Sequence, residues 1–331
     1  MRAAVIGIAG PALSTEEAAL FAVLPPAGVI LFARNIEDPS QLDRLVESLR
    51  RVLAPKAVLM LDQEGGRVAR LRPPHWRAHP PPAALGRLYD ANLAAGLRAA
   101  WLTGALIGLE CAAAGIGVVT APVLDLGLPG ANGVIGDRAF HTNARAVARL
   151  GRSFADGLLA AGAEPVMKHI PGHGRATVDS HFALPRVETP NLAADLLPFA
   201  ANAALPWAMT AHILYTRLDA ERPATLSPTV IRKIIREKIG FRGVLVTDDL
   251  AMQALEGDPA ALAAAAVSAG ADLALYCSGE IAANEAVLGA VPELAAPGLA
   301  RLERARAMAA ARKTPLEAGP LDAERDRLLG A

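Results

Sequence analysis

The residues best equipped for chemistry stand where apolar runs end. Asp248 and Asp249 close the segment GVLVTDD and put two carboxylates side by side. Neighbours on a strand point to opposite sides, so one can face a site while the other braces the scaffold. A cap on the following LAMQAL accounts for one of them but not both. The densest polar segment is KHIPGHGRATVDSH (168–181), with three of the seven histidines. His169 and His173 are four apart, which pairs two metal ligands on a helix. Pro171 and Gly172 lie between them and argue against that helix. Asp179 precedes His181 by two residues. A carboxylate so placed can fix the imidazole tautomer and favour its charged form, giving a proton donor for a leaving group. An Asx-type turn with an exposed histidine is the alternative. Asp62-Gln63-Glu64-Gly65-Gly66-Arg67 reads poorly as a phosphate loop, because it is acidic and carries no GKS/T. Carboxylates beside arginines suit hydroxyl groups better.

These residues need a frame, and the apolar pattern supplies one. Eight short runs, 3–8, 28–33, 57–62, 117–122, 165–170, 207–213, 243–248 and 273–277, are apolar nearly throughout, as strands covered on both faces should be. Helical stretches separate them: 14–24 with a Ser14/Glu17 capping box, 38–53, 91–115, 143–162, then four shorter ones. Eight alternating pairs predict one α/β domain, a single (β/α)8 barrel over residues 1–331, with a doubly wound sheet as the other arrangement. In such a barrel chemistry sits at the C-terminal strand ends. Asp62, Asp125, Lys168-His169, His212 and Asp248-Asp249 all fall there. PPHWRAHPPP (73–82) reads as a rigid surface loop, and the polar stretch from about Thr314 as a loosely packed extension.

Composition excludes several classes. The 33 basic and 33 acidic residues balance, so nothing marks a nucleic-acid binder. Cys111 and Cys277 are far apart in apolar surroundings and read as buried thiols. The N-terminal apolar run is too short and broken for a signal peptide or membrane span, so a cytoplasmic protein without membrane contact is expected. No cofactor is indicated, and oligomeric state is not legible.

Seven segments, GVILFARN (28–35), LDQEGGRVARL (61–71), IGDRAFH (135–141), KHIPGHG (168–174), DSH (179–181), MTAHI (209–213) and VTDDLAM (246–252), occur in the order found in one family. The chain resembles bacterial β-N-acetylglucosaminidases of glycoside hydrolase family 3, the single-domain peptidoglycan-recycling type. That resemblance implies Asp248 as nucleophile and His181 as general acid/base with Asp179 as its partner. It implies sugar contacts from Asp62, Arg70, Arg138, Lys168 and His169, with Asp125 and His212 lining the pocket. Ile170 and Ala69 depart from the family's common Phe and Gln, the second on the pocket wall.

The implied reaction has two steps with retention. Asp248 attacks the anomeric carbon while His181 protonates the departing oxygen; His181 then activates water. The implied substrate is N-acetylglucosamine β-linked to 1,6-anhydro-N-acetylmuramic acid, with or without peptide. Four rivals stand beside this reading: a family 3 phosphorylase, substrate-assisted cleavage steered by Asp248-Asp249, a metal-dependent hydrolase using His169, His173 and His181, and a sugar-binding protein without activity.

Overall fold

The computed structural model describes residues 1–180 and 182–330. Its centre is a closed parallel barrel of β1 (Arg2–Gly7), β2 (Pro26–Leu31), β3 (Val58–Leu61), β4 (Val118–Val119), β5 (Glu164–Ile170), β6 (Trp207–Thr210), β7 (Val244–Asp249) and β8 (Leu273–Tyr276). Each strand pairs with its sequence neighbours, and β8 closes on β1 through Val5 opposite Leu275. The expected (β/α)8 barrel is therefore the fold. The strands are buried because side chains fill the barrel interior on one face and helices cover the other.

Two strands are shorter than their apolar runs. The run at 117–122 pairs regularly only at Val118–Val119. Pro122 has no N–H to offer a ladder. The wall continues irregularly instead, with Val166 N donating to Ala121 O and Leu124 N to Lys168 O. The run at 207–213 leaves the ladder after Thr210. Leu214–Tyr215 then pairs with Arg186–Val187 in a small parallel ribbon apart from the barrel.

The surrounding helices are α1 (Thr15–Val23), α2 (Pro39–Val52), α3 (Pro82–Ala91), α4 (Leu93–Ala113), α5 (Ala144–Ala160), α6 (Ala193–Ala201), a π-pitched helix (Val230–Lys238), α7 (Pro259–Ala269), α8 (Ile281–Ala290), α9 (Ala296–Arg312) and α10 (Ala318–Leu329). The Ser14/Glu17 capping box forms, with Glu17 N donating to Ser14 Oγ at 3.0 Å and Ser14 N to Glu17 Oε2 at 2.9 Å. By length and composition α4 could cross a bilayer. Here most of it is buried, packed by α3, α5 and α10.

Four segments differ from the sequence reading. The prolines before residue 82 conceal α3, which starts at Pro82, where a missing N–H costs nothing. The same Pro-rich loop is not wholly a surface feature, because His79 is buried against Glu110. Leu302, Ala305 and Ala309 form the buried stripe of α9, a helix the sequence reading does not contain. The loosely packed extension from about Thr314 is corrected: α10 docks on α4, and its Arg325 is only 5% exposed. Arg98 pairs with Glu324, Arg77 with Asp322, and Arg325 Nη1 reaches His79 Nδ1 at 3.1 Å. Polar composition misled here because these charges are partnered across elements.

Candidate active site

The C-terminal ends of the strands surround a cavity of about 440 Å³, within the range of small-ligand sites, about 300–1,000 Å³. Asp62, Arg70, Arg138, Lys168, His169, Asp179 and Asp248 all line it. Seven residues spread over 187 positions of sequence thus meet, since each follows or ends a strand of one barrel. His181 lies outside the described residues.

One wall is a charge network. Asp62 Oδ2 accepts from Arg70 Nη2 at 3.0 Å, and Oδ1 accepts from Lys168 Nζ at 3.1 Å and from the Thr120 hydroxyl. Burial raises the Asp62 carboxyl, but Lys168, Arg70 and Thr120 outweigh burial and hold it far below the usual carboxylate range. Glu64 takes a two-pronged bond from Arg138, 2.8 Å on each prong, and an ion pair with Lys168 at 2.6 Å. Its carboxyl is also lowered: burial raises it, and Lys168 and Arg138 prevail. Lys168 stays charged, because Asp62 and Glu64 overcome the burial that would lower it. The sequence reading omits this role of Glu64. The signal for it is the position of Glu64 two residues beyond Asp62, facing two cations.

The opposite wall is built on Asp248. β7 carries it to the mouth, where its carboxylate is 16% exposed and its Oδ1 accepts the Asp249 N–H at 2.9 Å. His169 Nε2 stands 4.0 Å from Asp248 Oδ2. Burial raises the Asp248 carboxyl, but His169 and His212 more than reverse this and keep it below its ordinary value. Asp249 has the bracing role: its Oδ1 accepts from Ala251 N at 2.9 Å and Cys277 N at 3.0 Å. Burial moves the Asp249 carboxyl upward instead. One carboxylate of the pair is thus poised as an anion in the pocket, and the other is tied into backbone.

Asp125 and His212, read as pocket-lining, are corrected. Both are fully buried behind the wall and neither lines the cavity. Asp125 grips His169, with Oδ2 2.6 Å from Nδ1. His212 Nε2 donates to Asp249 O at 2.9 Å, and Nδ1 meets the Thr225 hydroxyl at 2.7 Å. Burial pushes the His212 ring below its ordinary value, against the pull of Asp248. Ala69 is buried and does not itself line the cavity. His173, which the sequence offers only as a metal-ligand candidate, and Ser180 also line the cavity. Among the described residues, no three His, Cys, Asp or Glu side chains are arranged to hold a metal ion.

Residues 5–312 match the model of the glycosyl hydrolase family 3 N-terminal domain. The chain belongs to glycosyl hydrolase family 3. The family 3 chain is 40% identical to a beta-hexosaminidase of Alkalilimnicola ehrlichii over 82% of its length and 80% of the relative's. It is also 40% identical to one of Methylococcus capsulatus, over 89% and 88%. The structure of NagZ from Neisseria gonorrhoeae in complex with N-trifluoroacetyl-D-glucosamine superposes with a TM-score of 0.87 at 31% identity, covering 99% of this chain and 97% of that one. This family 3 protein is a glycoside hydrolase, a β-N-acetylhexosaminidase acting on sugar substrates.

Proposed function

We propose that the enzyme is a retaining exo-β-N-acetylglucosaminidase that works through a glycosyl ester on Asp248. The observation carrying this reading is the Asp248 carboxylate, held as an anion at the pocket wall opposite the Asp62–Lys168–Arg70 network. A nucleophile must be ionised, and a hexose must be held by several directional hydrogen bonds. Asp62, Arg70, Lys168 and Arg138 hold the terminal sugar's hydroxyl groups, and His169 fixes the sugar over Asp248. Attack of Asp248 on the anomeric carbon breaks the glycosidic bond. The proton that the departing oxygen needs comes from His181, with Asp179, on the same pocket, stabilising the imidazolium. Neutral His181 then takes a proton from water, and the resulting hydroxide releases the sugar with retained configuration.

The neighbour crystallised with N-trifluoroacetyl-D-glucosamine supports a 2-acetamido sugar as the accepted unit. The likeness to single-domain recycling enzymes extends this to N-acetylglucosamine on 1,6-anhydro-N-acetylmuramic acid, with or without peptide, during peptidoglycan recycling.

The deciding experiment incubates the enzyme with 2,4-dinitrophenyl 2-acetamido-2-deoxy-5-fluoro-β-glucoside and locates the adduct by mass spectrometry. An ester on Asp248 supports the reading, and an intermediate that never involves Asp248 overturns it. Running turnover in phosphate and measuring sugar 1-phosphate separates hydrolysis from phosphorolysis.

A further inference from the structure

His173 is buried beside the nucleophile, yet the proposed reaction gives it no task. It is 2% exposed and lines the pocket, with its ring edge-to-face on His169, centroids 5.6 Å apart. Its Nδ1 is buried without a partner. Its Nε2 lies 3.1 Å from the Ser180 hydroxyl. An apolar side chain could fill this space without leaving a buried nitrogen unpaired, a penalty an imidazole carries. What the imidazole adds is the bond to Ser180.

Ser180 stands between Asp179 and His181, and it is 3% exposed. Its carbonyl accepts from Ala254 N at 3.2 Å, on the segment that follows β7. Asp179 O accepts from Phe182 N and Ala183 N, both at 3.0 Å. Ser180 is therefore pinned from two sides, through its hydroxyl and through its carbonyl. The His173 post is itself anchored, because its backbone N–H donates to Asp125 Oδ1 at 2.6 Å. Burial holds its ring neutral, its pKa pushed down to about 4, so it offers a hydrogen bond without placing a cation beside the nucleophile's wall.

We propose that His173 and Ser180 form a latch that positions the Asp179–His181 acid over the pocket, so that both are positioning residues for leaving-group protonation. This rests on His181 being the acid. Loosening the latch therefore slows substrates in proportion to their need for a proton. Ser180→Ala removes the latch bond and leaves the ring contact of His173 on the sugar-contacting His169 in place.

The test compares Ser180→Ala, His173→Phe and the double variant with wild type. Each is assayed for kcat/KM on the methyl and the 2,4-dinitrophenyl β-N-acetylglucosaminides, with His181→Ala as reference. The expected loss for Ser180→Ala is about tenfold greater on the methyl glycoside than on the activated one, the factor one such hydrogen bond carries. The double variant should be no worse than the weaker single one, as coupled residues require. Equal losses on both glycosides from Ser180→Ala, alongside unequal losses from His181→Ala, overturn the latch alone. Equal losses from His181→Ala overturn the acid assignment and the latch with it. Should His173→Phe fail to fold, the substrate ratio of Ser180→Ala decides the matter by itself.

Discussion

Asp125 Oδ2 lies 2.6 Å from His169 Nδ1, and the same carboxylate accepts the backbone N–H groups of both His169 and His173. One buried anion thus sets the ring that faces the nucleophile and the turn that follows it. Burial raises the Asp125 carboxyl, but His169 outweighs burial and the group stays ionised. Asp125→Asn puts an amide donor where three N–H groups converge. Bonds to a charged acceptor contribute about 1.5–3 kcal/mol each, so kcat/KM for p-nitrophenyl β-N-acetylglucosaminide should fall by about ten- to a hundredfold. A fall of less than twofold would show that His169 does not need this anchor.

Asp248→Ala removes the proposed nucleophile and should lower kcat by about 10⁴-fold or more. His181→Ala should mainly slow glycosides with poor leaving groups. Comparing p-nitrophenyl β-N-acetylglucosaminide with the β-glucoside checks the sugar assignment in the same assay. Preference for the glucoside would sink the acetamido-sugar reading.

Acid should weaken the fold through its buried neutral histidines. His173 has its pKa pushed down to about 4 by burial, with a lesser contribution from the neighbouring His169, against about 6.5 when unfolded. The unfolded chain therefore binds more protons between these values, and stability must drop as pH falls from about 6.5 toward about 4. His212 acts in the same sense. The lowered carboxylates Asp62, Glu64 and Asp248 add to the loss as pH falls from their unfolded values of about 4 toward their lower folded ones. Thermal midpoints measured across this window should decline for wild type and decline less for His173→Phe. An identical slope would contradict the assignment of His173 as neutral.

Glu64 is 1% exposed and is bound by two cations. Glu64→Gln leaves Arg138 and Lys168 short of negative charge in a buried wall. Breaking a buried pair from one side costs about 3–5 kcal/mol, a loss that urea denaturation would register. The Michaelis constant should rise as well, because Lys168 and Arg138 line the pocket. Unchanged stability would mean that Asp62 alone balances the wall.

Arg325→Met should release α10 without touching a pocket residue. Arg325 bonds His79, Asp322 and Asp326 while nearly buried. The expected result is faster proteolytic clipping after residue 313 and a stability loss of about 1–3 kcal/mol. Clipping at the wild-type rate would show that α10 is held by its apolar contacts.

Much of this protein was legible in its sequence. Strands covered on both faces must be apolar throughout, so the eight runs announced a parallel barrel, and the barrel assigned its polar strand ends to one mouth. Ordered motifs singled out Asp248 and the pocket cations. Partnership was not legible, because it depends on distance across the barrel. Asp125 and His212 stand at strand ends like Asp62 does, yet only packing turned them behind the wall. Asp248 and Asp249 are the same residue type on the same strand, and position alone separates them: burial raises both, but His169 and His212 reverse it for Asp248, while the backbone bonds of Asp249 do not. Charge in α10 read as exposure for the same reason, since a guanidinium is cheap to bury only where the fold supplies its acceptors.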